Sequence, residues 1–143
     1  MTIRKSGSAH WEGDLKHGKG TISTETGALS EQPYGFNTRF EDGKGTNPEE
    51  LIGAAHASCF STALSMILGQ HDLTADSIET RATVSLEEKD GGFAITRIHL
   101  DVTASVPGAS EDAFAEAART AKENCPVSKV LAGADITMTA TLA

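Results

Sequence analysis

Apolar and polar positions change period along the chain, and each change marks an element. Between His10 and Gly27, short β-prone pieces are punctuated by Gly13, Gly18, Gly20 and Gly27, the pattern of hairpins at a sheet edge. From Tyr34 to Glu41 the residues alternate. Tyr34, Phe36, Thr38 and Phe40 fall on one side of a predicted strand and Gly35, Asn37, Arg39 and Glu41 on the other. At Thr46-Asn47-Pro48-Glu49-Glu50 the pattern turns helical: Asn suits the N-cap, Pro the first helical position, and carboxylates the positive end of the helix dipole. That helix is predicted to run to about Gly69. Its middle, Gly53-Ala54-Ala55-His56-Ala57-Ser58-Cys59, is small almost all the way round, which predicts a central, buried helix.

Two alternating segments follow, Glu79 to Glu88 and Phe93 to Val106, with Asp90-Gly91-Gly92 supplying the turn between them. Ser110 is placed to cap a second amphipathic helix, which ends near Asn124 and carries Phe114, Ala117, Ala118 and Ala121 on one stripe. Pro126 can open a short helix over Val127 to Leu131, which puts Cys125 at or beside its N-cap. Asp135 to Leu142 alternates again and closes the chain as a strand. The sum is a mixed α+β fold, and 143 residues without an internal repeat or linker predict one domain, 1–143.

Composition narrows the function. With 38% hydrophobic and 22% charged residues, no signal-peptide core in Met1 to Leu15 and no evident bilayer-length apolar run, the chain reads as a cytoplasmic protein with no membrane partner. A net charge of -8, with Lys and Arg scattered, repels phosphate backbones, so nucleic acid is excluded as a partner class. Two cysteines, Cys59 and Cys125, and no CxxC rule out a four-cysteine zinc site within one chain, and in a reducing compartment any bond between them is transient.

Transient pairing suits peroxide reduction. A thiolate attacks one oxygen of the O–O bond and becomes a sulfenic acid, and a second thiol captures it as a disulfide before over-oxidation. A free thiol of pKa about 8.5 is only about 3% ionised at neutral pH, and an adjacent cation is the simplest remedy. The rigid fork of a guanidinium can also meet charge on the departing oxygen, and Arg39 is the candidate. On chemistry alone either cysteine could attack, since a helix start lowers a thiol pKa and Cys125 lies nearer to one. The bland readings are buried inert cysteines, a solvated Arg39 and a dipole-favoured Glu49. Two rivals from other classes are a non-enzymatic redox sensor or small-molecule-binding protein, and a metal site using His56, Cys59 and Cys125.

The segments Thr46-Asn47-Pro48-Glu49-Glu50-Leu51-Ile52-Gly53-Ala54-Ala55-His56-Ala57-Ser58-Cys59-Phe60 and Asn124-Cys125-Pro126-Val127-Ser128 closely resemble the two cysteine motifs of the OsmC/Ohr family. Ala9-His10-Trp11-Glu12-Gly13-Asp14 and Gln32 to Phe40 look like its OsmC branch, so the likeness spans nearly the whole chain. It implies antiparallel sheets wrapped around central helices in an intertwined homodimer. It also implies reduction of organic hydroperoxides in preference to hydrogen peroxide, as oxidative and osmotic stress defence, with no cofactor and with an external dithiol, of lipoyl type or another small or protein-borne thiol, as reductant. By motif position Cys59 matches the attacking cysteine, Cys125 the resolving one, and Arg39 and Glu49 the charged pair that tunes the site. A helix rising about 1.5 Å per residue would separate Glu49 from Cys59 by about 15 Å along its axis. If both serve one site, they are expected to come from different subunits.

Overall fold

The computed structural model describes all residues 1–143. It falls into two compact units, Met1–Leu51 and Ile52–Ala143.

The first unit holds a three-stranded antiparallel sheet of β1 (Gly7–Glu12), β2 (Lys19–Thr24) and β3 (Gln32–Tyr34) in that order. This is the hairpin arrangement that the glycine spacing predicts. The predicted strand over Tyr34 to Glu41 does not form. The chain leaves β3 at Tyr34 and turns into a short helix, α1 (Phe36–Phe40). Phe36 and Phe40 are four residues apart, a spacing that brings two side chains to one face under a helical period as well as under strand alternation. Their ring centroids lie 5.0 Å apart. Thr38 fixes the choice: the Gly35 N–H donates to its Oγ1 at 2.9 Å, and its hydroxyl donates to the Gly35 carbonyl at 3.0 Å. Arg39 therefore stands on a helix, not on the outer face of a strand.

Helix α2 (Pro48–Gln70) begins as its sequence dictates, with the Asn47 Oδ1 accepting from the Glu50 N–H at 2.8 Å. Its 23 residues are long and apolar enough, by length and composition alone, to cross a membrane, contrary to the sequence reading that no such run exists. The core helix of a packed domain meets the same test, and here Phe60, Leu64 and Leu68 are fully buried within the protein. Nor is α2 buried all round. Gly53, His56, Phe60, Leu64, Ile67 and Leu68 form one covered stripe, while Ala54, Ala55, Ser58, Thr62 and Met66 are exposed on the rest of its surface. Small side chains permit close approach on several sides, but one chain supplies a neighbour on only one of them.

In the second unit that neighbour is a sheet of β4 (Ser77–Lys89), β5 (Gly92–Ser105) and β6 (Asp135–Leu142). A side chain at Gly53 would meet the Ala82 carbonyl oxygen at 3.0 Å, so glycine there lets α2 lie directly on β4, and Ser61 Oγ reaches Thr80 Oγ1 at 2.8 Å. Strands β4 and β5 form a long antiparallel hairpin closed by Asp90 and Gly91, whose φ angles of 53° and 82° are the left-handed values that a tight two-residue turn demands. Strand β6 pairs with β5 in parallel, a departure from the antiparallel sheets implied by the family resemblance. The departure has a physical cause: the chain between β5 and β6 is long enough for a crossover through two helices, as parallel neighbours require. These are α3 (Glu111–Asn124), capped by Ser110 Oγ on the Ala113 N–H, and α4 (Pro126–Val130).

The core joins Phe60, Leu64 and Leu68 of α2 to Leu100, Val102 and Ala104 of β5 and to Phe114, Ala117, Ala118 and Ala121 of α3. Leu64→Ala would leave a cavity where relaxation is restricted on three sides. The expected loss is about 2–5 kcal/mol, read from urea unfolding midpoints at unchanged slope.

Candidate functional site

Arg39 and Glu49 meet within the first unit. The Arg39 Nε donates to Glu49 Oε1 at 3.0 Å and Nη2 donates to Oε2 at 3.0 Å, a side-on, two-point pair. Glu49 is delivered by the first turn of α2, which Asn47 ties to α1 through a hydrogen bond from its Nδ2 to the Thr38 carbonyl at 3.0 Å. The Glu49 side chain is 11% exposed and that of Arg39 38%, so the carboxylate is the fixed partner and the guanidinium is reachable. The Arg39 guanidinium carbon also lies 5.4 Å from the centre of the Phe40 ring. Beside the pair is a small cavity of about 180 Å³, walled by Trp11, Leu15, Tyr34, Phe36 and Phe40, with Arg39 as its charged member. Four larger clefts, of about 450, 440, 400 and 320 Å³, hold neither cysteine nor Arg39, and size does not outweigh chemistry here.

Cys59 and Cys125 meet within the second unit. Both are free thiols; Cys59, on α2, is partly exposed, and Cys125 is buried. Burial pushes the Cys59 thiol above its ordinary pKa, the Val127 backbone N–H pulls it back, and a side-chain hydrogen bond and charge interaction with Cys125 push it up again. The two thiols thus bear on each other's ionisation, and Cys59 in this unit is not favoured as a thiolate.

Cys125 ends α3 and caps α4. The Ser128 N–H donates to its Sγ at 3.3 Å, and Ser128 Oγ stands 3.2 Å from the same sulfur. Ser128 Oγ in turn lies 2.7 Å from His56 Nε2. His56 is fully buried, and burial lowers its pKa, so it is neutral near pH 7. No group of three or more His, Cys, Asp or Glu side chains is placed to hold a metal ion, and His56 spends its Nε2 on Ser128. Ser128 went unassigned in the sequence reading. The available signal was its position three residues after an N-cap cysteine, the spacing at which a capping atom meets the N3 residue.

Two free thiols, one partly exposed on α2 and one buried at the junction of α3 and α4 beside a hydrogen-bonded serine, define a thiol redox protein of mixed α+β fold. The chain belongs to the family of OsmC-like proteins, whose family model matches residues 41–140. It is 61% identical over 138 residues to Peroxiredoxin OsmC of Escherichia coli K12, covering 96% of both chains. It is 31% identical to the organic hydroperoxide resistance protein OhrB of Bacillus subtilis, over 80% of this chain and 82% of that protein. The crystal structure of OhrB superimposes with a TM-score of 0.68 at 25% identity, over 96% of this chain and 98% of that one. An OsmC-like protein from Mycoplasma pneumoniae shares the fold with a TM-score of 0.76, over 100% of this chain and 99% of that one, at 18% identity.

Proposed function

We infer that this protein is a peroxiredoxin-type thiol peroxidase that reduces hydroperoxides and serves in stress defence. The observation that carries this is the 61% identity to a peroxiredoxin over 96% of the chain, in a protein whose second unit holds both free thiols, Cys59 and Cys125. Cys59 is the attacking cysteine because it is the accessible one, and Cys125 resolves its sulfenic acid as a disulfide. Arg39 polarises the peroxide and opposes the burial that raises the Cys59 pKa, and Glu49 holds the fork of Arg39 at a fixed angle. The preferred substrate is an organic hydroperoxide, whose apolar tail suits the aromatic cavity at Arg39.

The working form is a homodimer of one-domain subunits, 1–143, in the cytoplasm. The exposed face of α2, with Ala54, Ala55, Ser58 and Thr62, receives the second copy. Each site then draws its charged pair and its thiols from different subunits, a reading supported by the separation of about 15 Å that a helical rise puts between Glu49 and Cys59. An external dithiol of lipoyl type restores the thiols.

Steady-state consumption of cumene hydroperoxide and of hydrogen peroxide with dihydrolipoamide tests the reading. Faster turnover of cumene hydroperoxide is expected; stoichiometric oxidation without turnover would mark a redox sensor instead. Glu49→Gln keeps one hydrogen bond to Arg39 but loses its charge, and kcat/KM is expected to fall about tenfold without vanishing. Sedimentation at working concentration should give a dimer, and a fully active monomer contradicts the shared site.

A further inference from the structure

His56 and Ser128 have no part in the cycle above, yet both are buried against its second cysteine, at 0% and 4% exposure. His56 Nδ1 is buried without a hydrogen-bond partner. A ring proton on Nδ1 would bury an unpaired N–H donor; on Nε2 it donates to Ser128 Oγ at 2.7 Å. With that oxygen accepting from His56, the Ser128 O–H is free to turn to its other neighbour, the Cys125 sulfur at 3.2 Å. The Ser128 backbone N–H reaches the same sulfur at 3.3 Å. Two donors from one residue then converge on Cys125, and the burial that keeps His56 neutral preserves their direction.

We propose that Ser128, aimed by His56, stabilises negative charge on the Cys125 sulfur, both when it attacks oxidised Cys59 and when it departs from the disulfide, so that a reducing thiol joins Cys59. The proposal rests on the peroxidase cycle above and adds a catalytic residue, Ser128, and a positioning residue, His56. In resolution the Cys125 sulfur gives an electron pair to the sulfenic sulfur of Cys59. The S–O bond breaks toward oxygen, and the Cys125 proton joins that oxygen, yielding disulfide and water. The sulfenic acid is the oxidant and Cys125 the reductant. In re-reduction a thiolate of the external dithiol attacks Cys59 and the S–S pair passes to Cys125, which Ser128 receives. The second thiol of the dithiol then closes on the first, releasing Cys59. The two protons of the dithiol end on Cys59 and Cys125. The better-stabilised thiolate is the faster leaving group, so stabilising Cys125 sets which sulfur is attacked.

The test oxidises full-length protein with one equivalent of cumene hydroperoxide, follows disulfide formation by acid quench and alkylation, and then follows its reduction by dithiothreitol. Ser128→Ala is expected to slow both steps about 10–100-fold, the effect of losing one hydrogen bond to a charged group, whereas Ser128→Thr stays within about threefold of wild type. His56→Gln, which keeps an N–H near the Nε2 position, should exceed His56→Leu in both rates by about tenfold. If His56→Leu does not fold, the two Ser128 variants decide alone. The monothiol 2-mercaptoethanol should be caught on Cys59 of the wild type by peptide mass. Rates for Ser128→Ala within about twofold of wild type, or an adduct on wild-type Cys125, overturn the proposal. Failure of the wild type to form any disulfide overturns the peroxidase cycle itself, and this proposal with it.

Discussion

Cys59→Ser is expected to lower steady-state hydroperoxide reduction by on the order of a thousandfold or more, because a hydroxyl is too weak a nucleophile and too poorly ionised to open the O–O bond. Cys125→Ser should behave differently. Its Cys59 can still complete one turnover, but the sulfenic acid then lacks its resolving partner and advances to the sulfinic form under excess peroxide. Cumene hydroperoxide loss, with mass spectrometry of Cys59, separates the two variants. The contrast bears on the roles of the thiols: Cys59 is accessible but pushed up in pKa by burial, whereas Cys125 is buried yet better supplied with donors. If Cys125→Ser lost its first turnover while Cys59→Ser kept it, the assignments would be exchanged.

Arg39→Lys carries the second large effect, a fall in single-turnover rate of about 100-fold despite the conserved charge. A lysine ammonium cannot make two parallel bonds to Glu49 and still aim a donor at a peroxide. The native pair does the first with Nε and Nη2, at 3.0 Å each, and leaves Nη1 outside the pair. Glu49 would remain mostly covered with a poorer partner, so some stability is lost as well. Comparing the first-turnover rate with the urea midpoint distinguishes lost chemistry from lost folding. A first-turnover rate within about twofold of wild type would remove Arg39 from the chemical step.

Most element boundaries were legible because each had a local cause. Asn47 before Pro48, Ser110 before Glu111 and Asp90-Gly91 between alternating runs are all realised as caps or turn. The segment 34–41 was misread because five residues with aromatics four apart satisfy two periods, and only the Thr38 contacts with Gly35 decide between them. The exposed side of α2 was likewise unreadable, since small residues state how close a neighbour may come but not whether one chain provides it. Arg39 and Glu49 could be proposed as a pair from the motif, and they bond within one chain. Ser128 was hidden because its use depends on His56, 72 residues away in the sequence.

The parallel placement of β6 has a kinetic consequence. The β4–β5 ribbon closes on a two-residue turn and can zip from local contacts, but His99 of β5 meets Thr137 of β6 only across 38 residues. Completing the sheet must await the folding of the intervening helical crossover, since loop-closure entropy is lost before distant pairing offsets it. Until then one edge of β5, with the Ile98, Leu100 and Val102 side chains that later become fully buried, stands open to association with other chains. Refolding yield should therefore depend more steeply on protein concentration than the stability of the finished fold would suggest.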